Sequence, residues 1–286
     1  MGELSYNEIY NNYRCNTLHL NENMKIKRLI LTLTFTLYCI GGSGLFSKDI
    51  NSEDYTGKKD KLHIYLLIGQ SNMAGRAPFT KEESSAIKGV YLFNNKEEWE
   101  PAKNPLNRYS TIRKGLNSQK MNPGFTFSKT MLKKNKGISI GLIVNAKGGS
   151  SIKSWAKDSK FYKEAVKRTT LALKSGLLKG ILWHQGESDS KDSEYLSKLV
   201  ALVKNLRNDF KSPNLPFVAG QVNNVPLINQ QIMKLPELVE FSGFTSSTGL
   251  TAMDRWHFDS KSMKLLGQRY AMKMLEIQAQ KTTAKK

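Results

Sequence analysis

An α/β fold built on a mostly parallel sheet is what the sequence predicts, and three observations carry the prediction. Short, nearly uninterrupted apolar runs recur from Lys61 onward. Longer amphipathic stretches separate them, and neither an internal repeat nor a Pro/Gly/Ser-rich linker divides residues 61–278. Continuous apolar runs suit strands covered on both faces, and their alternation with helical stretches suits crossover connections. A chain of 286 residues, 39% of them hydrophobic, can close such a core without disulfides or a structural metal.

The expected strands, in order, are LHIYLLI (62–68), VYLF (90–93), ISIGLIVNA (138–146), GILWHQ (180–185) and PFVAGQV (216–222), with FSGFT (241–245) extending the sheet. Helices are expected over 125–134, 157–174, 192–210 and 260–278. In the last, Met263, Leu266, Tyr270 and Met274 fall on one helical face. The stretch 94–122 has no clear period and reads as an irregular insertion beside the site; 223–236 reads as a loop.

The N-terminus reads as targeting sequence. Residues 1–23 are polar and form an upstream extension. From Met24, MKIKR supplies a basic start, LILTLTFTLYCI (29–40) an apolar core and Gly41 to Gly44 small residues, so residues 24–44 read as a signal peptide. The competing readings are a buried strand, because LTLTFTL alternates with period two, and an uncleaved anchor. Lipidation on Cys39 is disfavoured by the bulky Tyr38 before it. Cleavage near Gly44 removes both cysteines, Cys15 and Cys39, which suits a secreted or periplasmic protein with no stable membrane insertion afterwards. Residues 45–60 are then a lead-in, 61–278 the domain and 279–286 a basic tail.

With 44 Lys and Arg against 24 Asp and Glu the formal charge is +20, which raises nucleic acid as a partner. The basic residues are scattered, however, with no aromatic RNA-binding signature or zinc-finger pattern, so a nucleic-acid partner is not expected. Two Cys and four His offer no zinc-ligand spacing, and no metal is expected.

In an open parallel sheet, ligands bind beyond the carboxyl ends of strands, so the residues there come first. GQSNMAG (69–75) follows the first strand and can present the Ser71 hydroxyl, although a Ser there can equally cap a helix. KGGSSIKSW (147–155) follows the third, and Gly148 and Gly149 can turn backbone N–H groups toward an oxyanion or merely make a turn. HQGESD (184–189) follows the fourth. There Gln185 offers an amide donor, whereas Glu187 and Asp189 are as readily solvated loop residues. Strand alternation sends His184 and Gln185 to opposite faces, so His184 is given a supporting role. DRWHFD (254–259) precedes the last helix, and of His63, His184 and His257 only His257 has a carboxylate, Asp254, three residues away in a turn.

GQSNMAG, GGSSIKSW, WHQGESD and DRWHFD, in this order, resemble the motif blocks of the SGNH hydrolase superfamily. The resemblance is to its sialate O-acetylesterase and acetyl xylan esterase branch, carbohydrate esterase family six, and it spans residues 69–258. It implies a flavodoxin-like three-layer α/β/α sandwich, with Ser71 as nucleophile, His257 as base and Asp254 as its orienting acid. It also implies an oxyanion hole from the Ser71 N–H, Gly148 or Gly149, and Gln185 in place of the superfamily's usual Asn. Gln70, Asn72 and Glu187 belong to the same blocks in supporting positions, Glu187 with no derivable role. The implied activity is removal of acetyl groups from a poly- or oligosaccharide through an acyl-enzyme, without metal or organic cofactor. A lipase-like general acyl esterase and a non-catalytic carbohydrate-binding protein on the same fold are the alternatives.

Overall fold

A computed structural model describes residues 55–113 and 115–283. The upstream extension, the expected signal peptide and both cysteines lie outside the described residues, as do residues 45–54 of the lead-in and 284–286 of the tail.

Seven strands form one sheet: β1 (Leu62–Gly69), β2 (Val90–Phe93), β3 (Trp99–Pro101), β4 (Ser139–Ala146), β5 (Leu177–His184), β6 (Phe217–Gly220) and β7 (Ser242–Thr245). Their order is β3-β2-β4-β1-β5-β6-β7, and every neighbouring pair is parallel except β2 with β3. Seven α-helices complete the described chain: α1 (Ser71–Ala74), α2 (Gly124–Lys134), α3 (Lys160–Ala172), α4 (Tyr195–Asp209), α5 (Pro226–Met233), α6 (Leu235–Leu238) and α7 (Ser260–Thr283).

β1 shows why the strands read as unbroken apolar runs. Leu62, Ile64, Leu66 and Ile68 join one buried cluster with Ala165 of α3 and Leu199 of α4. Tyr65 and Leu67 enter a second cluster on the other face, with Met131 of α2 and Met263 and Tyr270 of α7. Alternate residues thus fill alternate cores, giving the three-layer sandwich. Counting parallel strands alone, the order is 2-3-1-4-5-6, where flavodoxin proper has 2-1-3-4-5. Strands added after β1 go first to one side of it and then to the other, so the topological switch point lies at the carboxyl end of β1.

The structure differs from the sequence reading at identifiable places. β3 lies inside the stretch read as irregular; it is three residues long, at the sheet edge, and ends in Pro101, which only an edge tolerates. Residues 223–236 are mostly helical, because Pro226 starts α5 and Ile228 and Ile232 bury one face over barely two turns. β5 begins at Leu177 and ends at His184, one residue before Gln185. α3 starts at Lys160 because the Ser159 hydroxyl accepts from the Tyr162 N–H at the cap. α7 runs to Thr283, into the segment read as tail.

What matters for the site is register. Gly69, the last residue of β1, pairs with Ala146 on one side and His184 on the other. Three central strands therefore end level, and the loops that open at Gln70, Lys147 and Gln185 emerge side by side.

Candidate active site

Ser71 is the first residue of α1, directly beyond β1. Gly69 makes the turn possible: its φ is +140°, and a Cβ there would lie 2.1 Å from the His184 carbonyl oxygen. The Ser71 Oγ lies 3.0 Å from His257 Nε2, and His257 Nδ1 lies 2.8 Å from Asp254 Oδ2. The other oxygen, Asp254 Oδ1, accepts from the N–H groups of Trp256 and His257, both at 2.8 Å. One carboxylate thus closes the turn and orients the imidazole it carries. Burial works to raise the Asp254 pKa, but hydrogen bonds from the His257 ring and from the Trp256 and His257 N–H groups outweigh it, leaving the carboxyl at about 2. Asp254, ionised, favours the proton on His257 Nδ1 and leaves Nε2 free to accept from Ser71.

Asn72 fastens this turn to the sheet. Its Nδ2 donates to the Trp256 carbonyl and to Glu187 Oε1, both at 2.9 Å, while its Oδ1 accepts from the Phe258 N–H. Glu187 is therefore no solvated loop residue: it is buried, and its Oε2 has no hydrogen-bond partner. Burial pushes its pKa up to about 7, against the lowering effect of its hydrogen bonds. A carboxyl with a raised folded-state pKa favours the fold fully below its unfolded value of 4.5 and loses that contribution as the pH rises through about 7. Melting temperatures of wild type and Glu187→Gln should therefore diverge over that window, the wild type falling relative to the variant. Parallel curves would show that Glu187 is ionised in the fold throughout.

Gln70 links the first and fourth loops, its Oε1 accepting from Gln185 Nε2 at 3.1 Å and from the N–H groups of Gly186 and Ser188 at 3.3 Å. Gln185 itself does not occupy the place expected of an oxyanion donor. It is fully buried, and its Nε2 is committed to Gln70 Oε1, the Ser150 carbonyl and Asp189 Oδ2. Asp189, also buried, accepts in addition from the Ile152 N–H at 2.8 Å. Gln185 and Asp189 thus brace the glycine loop against the β5 loop beneath the cleft. Gln185→Ala should lower the melting temperature, with about 1–3 kcal/mol lost by stranding these partners. Turnover per titrated active site should stay well above the ~10²-fold loss that follows removal of an oxyanion donor. Intact stability with a loss of that size would return Gln185 to the oxyanion hole.

The cleft is about 390 Å³, and Gln70, Ser71, Gly148, Gly149, Glu187 and His257 contribute to its walls. The backbone N–H groups of Ser71, Gly148 and Gly149 have no acceptor among the described residues. Gly149 has φ +71°, while at Gly148 a Cβ would stand 3.7 Å from Ser71 Cβ and 2.8 Å from Arg76 Nη2. The first glycine thus permits close approach and the second the turn.

Arg76, which the sequence reading passed over, also lines the cleft. His184 lies on the opposite side of the sheet, fully buried, its Nδ1 3.0 Å from the Tyr270 hydroxyl. Tyr270 spends its one proton on the Trp183 carbonyl, so His184 Nδ1 is the donor. Burial pushes the His184 pKa down to about 3, and the residue is a neutral packing group. His63 sits near the amino end of β1, away from the cleft.

A model of the family described as carbohydrate esterase, sialic acid-specific acetylesterase, matches residues 61–276. A probable carbohydrate esterase of Arabidopsis thaliana is 33% identical over 177 residues, which is 54% of this chain and, at 66%, just under two thirds of that relative. The X-ray structure of that Arabidopsis protein aligns with a TM-score of 0.68 at 26% identity, over 76% of this chain and 98% of its own. Two further structures share the fold. One is NanS, at a TM-score of 0.63 and 16% identity over 78% of this chain and 99% of that one. The other is a carbohydrate acetylesterase from Xanthomonas citri, at 0.57 and 18% over 76% of this chain and 57% of that one.

Proposed function

The chain belongs to the family of carbohydrate esterases described as sialic acid-specific acetylesterases, and from that premise we propose that it is a serine esterase removing O-acetyl groups from a carbohydrate. The observation that carries the mechanism is the unbroken relay from Asp254 through His257 to Ser71, opening onto a cleft with unpaired backbone N–H groups. His257 Nε2 takes the Ser71 proton as Oγ attacks the acetyl carbonyl carbon. Negative charge gathers on the former carbonyl oxygen, and the N–H groups of Ser71 and Gly148 are the donors nearest to receive it. Collapse of this intermediate breaks the bond to the sugar oxygen, which takes the proton from the imidazolium. Acetyl-Ser71 then reacts with water, His257 again accepting the proton, and acetate leaves as Ser71 is restored.

The decisive experiment measures acetate release from a panel of acetylated glycans, including acetyl xylan and O-acetylated sialic acid, with Ser71→Ala as control. Longer p-nitrophenyl acyl esters belong in the same panel. Hydrolysis of those esters with no release from any glycan would replace the carbohydrate reading by a general acyl esterase. The protein is further proposed to be exported. Expression from Met24 should yield a mature N-terminus near Leu45 by intact mass, and a cytoplasmic product retaining residues 24–44 would contradict it.

A further inference from the structure

Arg76 stands in the cleft with its charge unanswered. Its Nη1 donates to the Gly75 carbonyl at 3.1 Å and to the Ser118 carbonyl at 2.8 Å, so the side chain is held in place before any ligand arrives. Its Nε and Nη2 have no hydrogen-bond partner among the described residues, and no carboxylate there pairs with it. Nη2 lies against Gly148, the same glycine that Ser71 Cβ approaches from the other side, and any larger residue at 148 would collide with the guanidinium.

The surroundings add positive charge. Arg113 is close enough to act on Arg76, and its own Nη1 is buried without a partner. Ser118 serves both arginines, its carbonyl accepting from Arg76 and its hydroxyl from Arg113 Nη2 at 3.2 Å. Burial first, and then Arg113, push the Arg76 pKa down, while Asp254 alone opposes them. Asp254 is already engaged through both oxygens by His257 and its turn. Two partly buried guanidinium groups without a counterion leave a desolvation cost that an incoming anion relieves. The free Nε and Nη2 edge is a planar fork, the geometry that matches a carboxylate with two parallel hydrogen bonds.

We propose that Arg76 receives a carboxylate carried by the substrate, so that this esterase selects O-acetylated sugar acids over neutral acetylated sugars. The proposal rests on the reading of the Ser71 cleft as the esterase site, and it assigns specificity to a residue outside the hydrolytic relay. Arg113 reinforces the positive potential behind it, and the length of insertion around Ser118 holds the guanidinium at its working position.

The test uses matched pairs: O-acetylated glucuronic acid and O-acetylated N-acetylneuraminic acid, each as the free acid and as its carboxyl methyl ester. Wild type should show the higher kcat/KM on at least one free acid, with a preference that weakens as salt rises. In Arg76→Ala the ratio of acid to methyl ester should fall roughly ten- to a hundredfold, as expected for loss of a charge-assisted hydrogen-bonded pair. Arg76→Gln, which retains an amide donor toward Ser118, should show the same fall if the alanine variant does not fold. Equal treatment of acid and methyl ester by wild type would overturn the proposal, as would an unchanged ratio in the variants. An equal loss on both members of a pair would place Arg76 at the reacting ester instead. Calorimetric binding of glucuronate and N-acetylneuraminate to Ser71→Ala, with and without Arg76→Ala, gives a readout independent of turnover. A wild type inactive even on p-nitrophenyl acetate would defeat the esterase reading, and the calorimetry would still decide for or against Arg76.

Discussion

Ser71→Ala is expected to lower kcat for ester hydrolysis by roughly 10⁴- to 10⁶-fold and to abolish any acylation burst, the size typical of deleting a serine nucleophile whose base and oxyanion donors remain. The expectation follows from geometry: Ser71 Oγ is the hydroxyl within hydrogen-bond distance of His257 Nε2, at 3.0 Å. Ser188 also lines the cleft, but its N–H is tied to Gln70 and its hydroxyl makes no bond to His257. Ser150 is buried, with its hydroxyl accepting from the Trp155 indole at 3.2 Å. Neither can inherit the proton transfer. The fold should survive, because the lost oxygen has one hydrogen bond and the backbone turn at Gly69 is untouched. Near wild-type activity in the purified variant, with contaminating esterases excluded, would remove Ser71 from the nucleophile's role. Crippling by Ser188→Ala in its place would move that role along the cleft wall.

How much of this was legible beforehand depends on how local the signal is. The central strands were legible because each fills two cores at once and so carries no polar interruption. The loops at Ser71, Gly148 and Glu187 were legible as neighbours because parallel strands bring their carboxyl ends to one edge, and here Gly69, Ala146 and His184 end level. Asp254 and His257 share one turn, so their contact was implicit in a spacing of three. Gln185 shows where such reasoning stops. Alternation correctly separates it from His184, but says nothing of depth: β5 ends at His184, and Gln185 turns beneath the cleft toward Ser150 and Asp189. The burial of Glu187 hangs on Asn72, 115 positions away, and Arg76 is placed by Ser118, 42 positions away. No periodicity or motif encodes either contact. The strand β3 and the helix α5 were missed for the opposite reason, being too short for a period to register.

Asp254→Asn is expected to lower kcat by roughly 10²- to 10⁴-fold while the protein remains folded. The wild-type carboxylate has one oxygen on the Trp256 and His257 N–H groups and the other on His257 Nδ1. An asparagine oxygen can keep the two backbone bonds only by turning its NH₂ toward Nδ1. The imidazole must then accept at Nδ1 and carry its proton on Nε2, which faces Ser71 Oγ with a hydrogen where a base needs a lone pair. Flipping the amide restores the tautomer but breaks the turn that positions the ring. Either arrangement also removes the negative charge that stabilises the imidazolium formed during attack, although Asp254, with its side chain 53% exposed, exerts that charge through partly solvent-screened surroundings. The loss should therefore persist across neutral pH, since the wild-type carboxyl, held at about 2, is ionised throughout that range. Turnover of Asp254→Asn within threefold of wild type, alongside severe loss in Glu187→Gln, would show that the buried carboxyl beside Asn72, and not Asp254, governs His257.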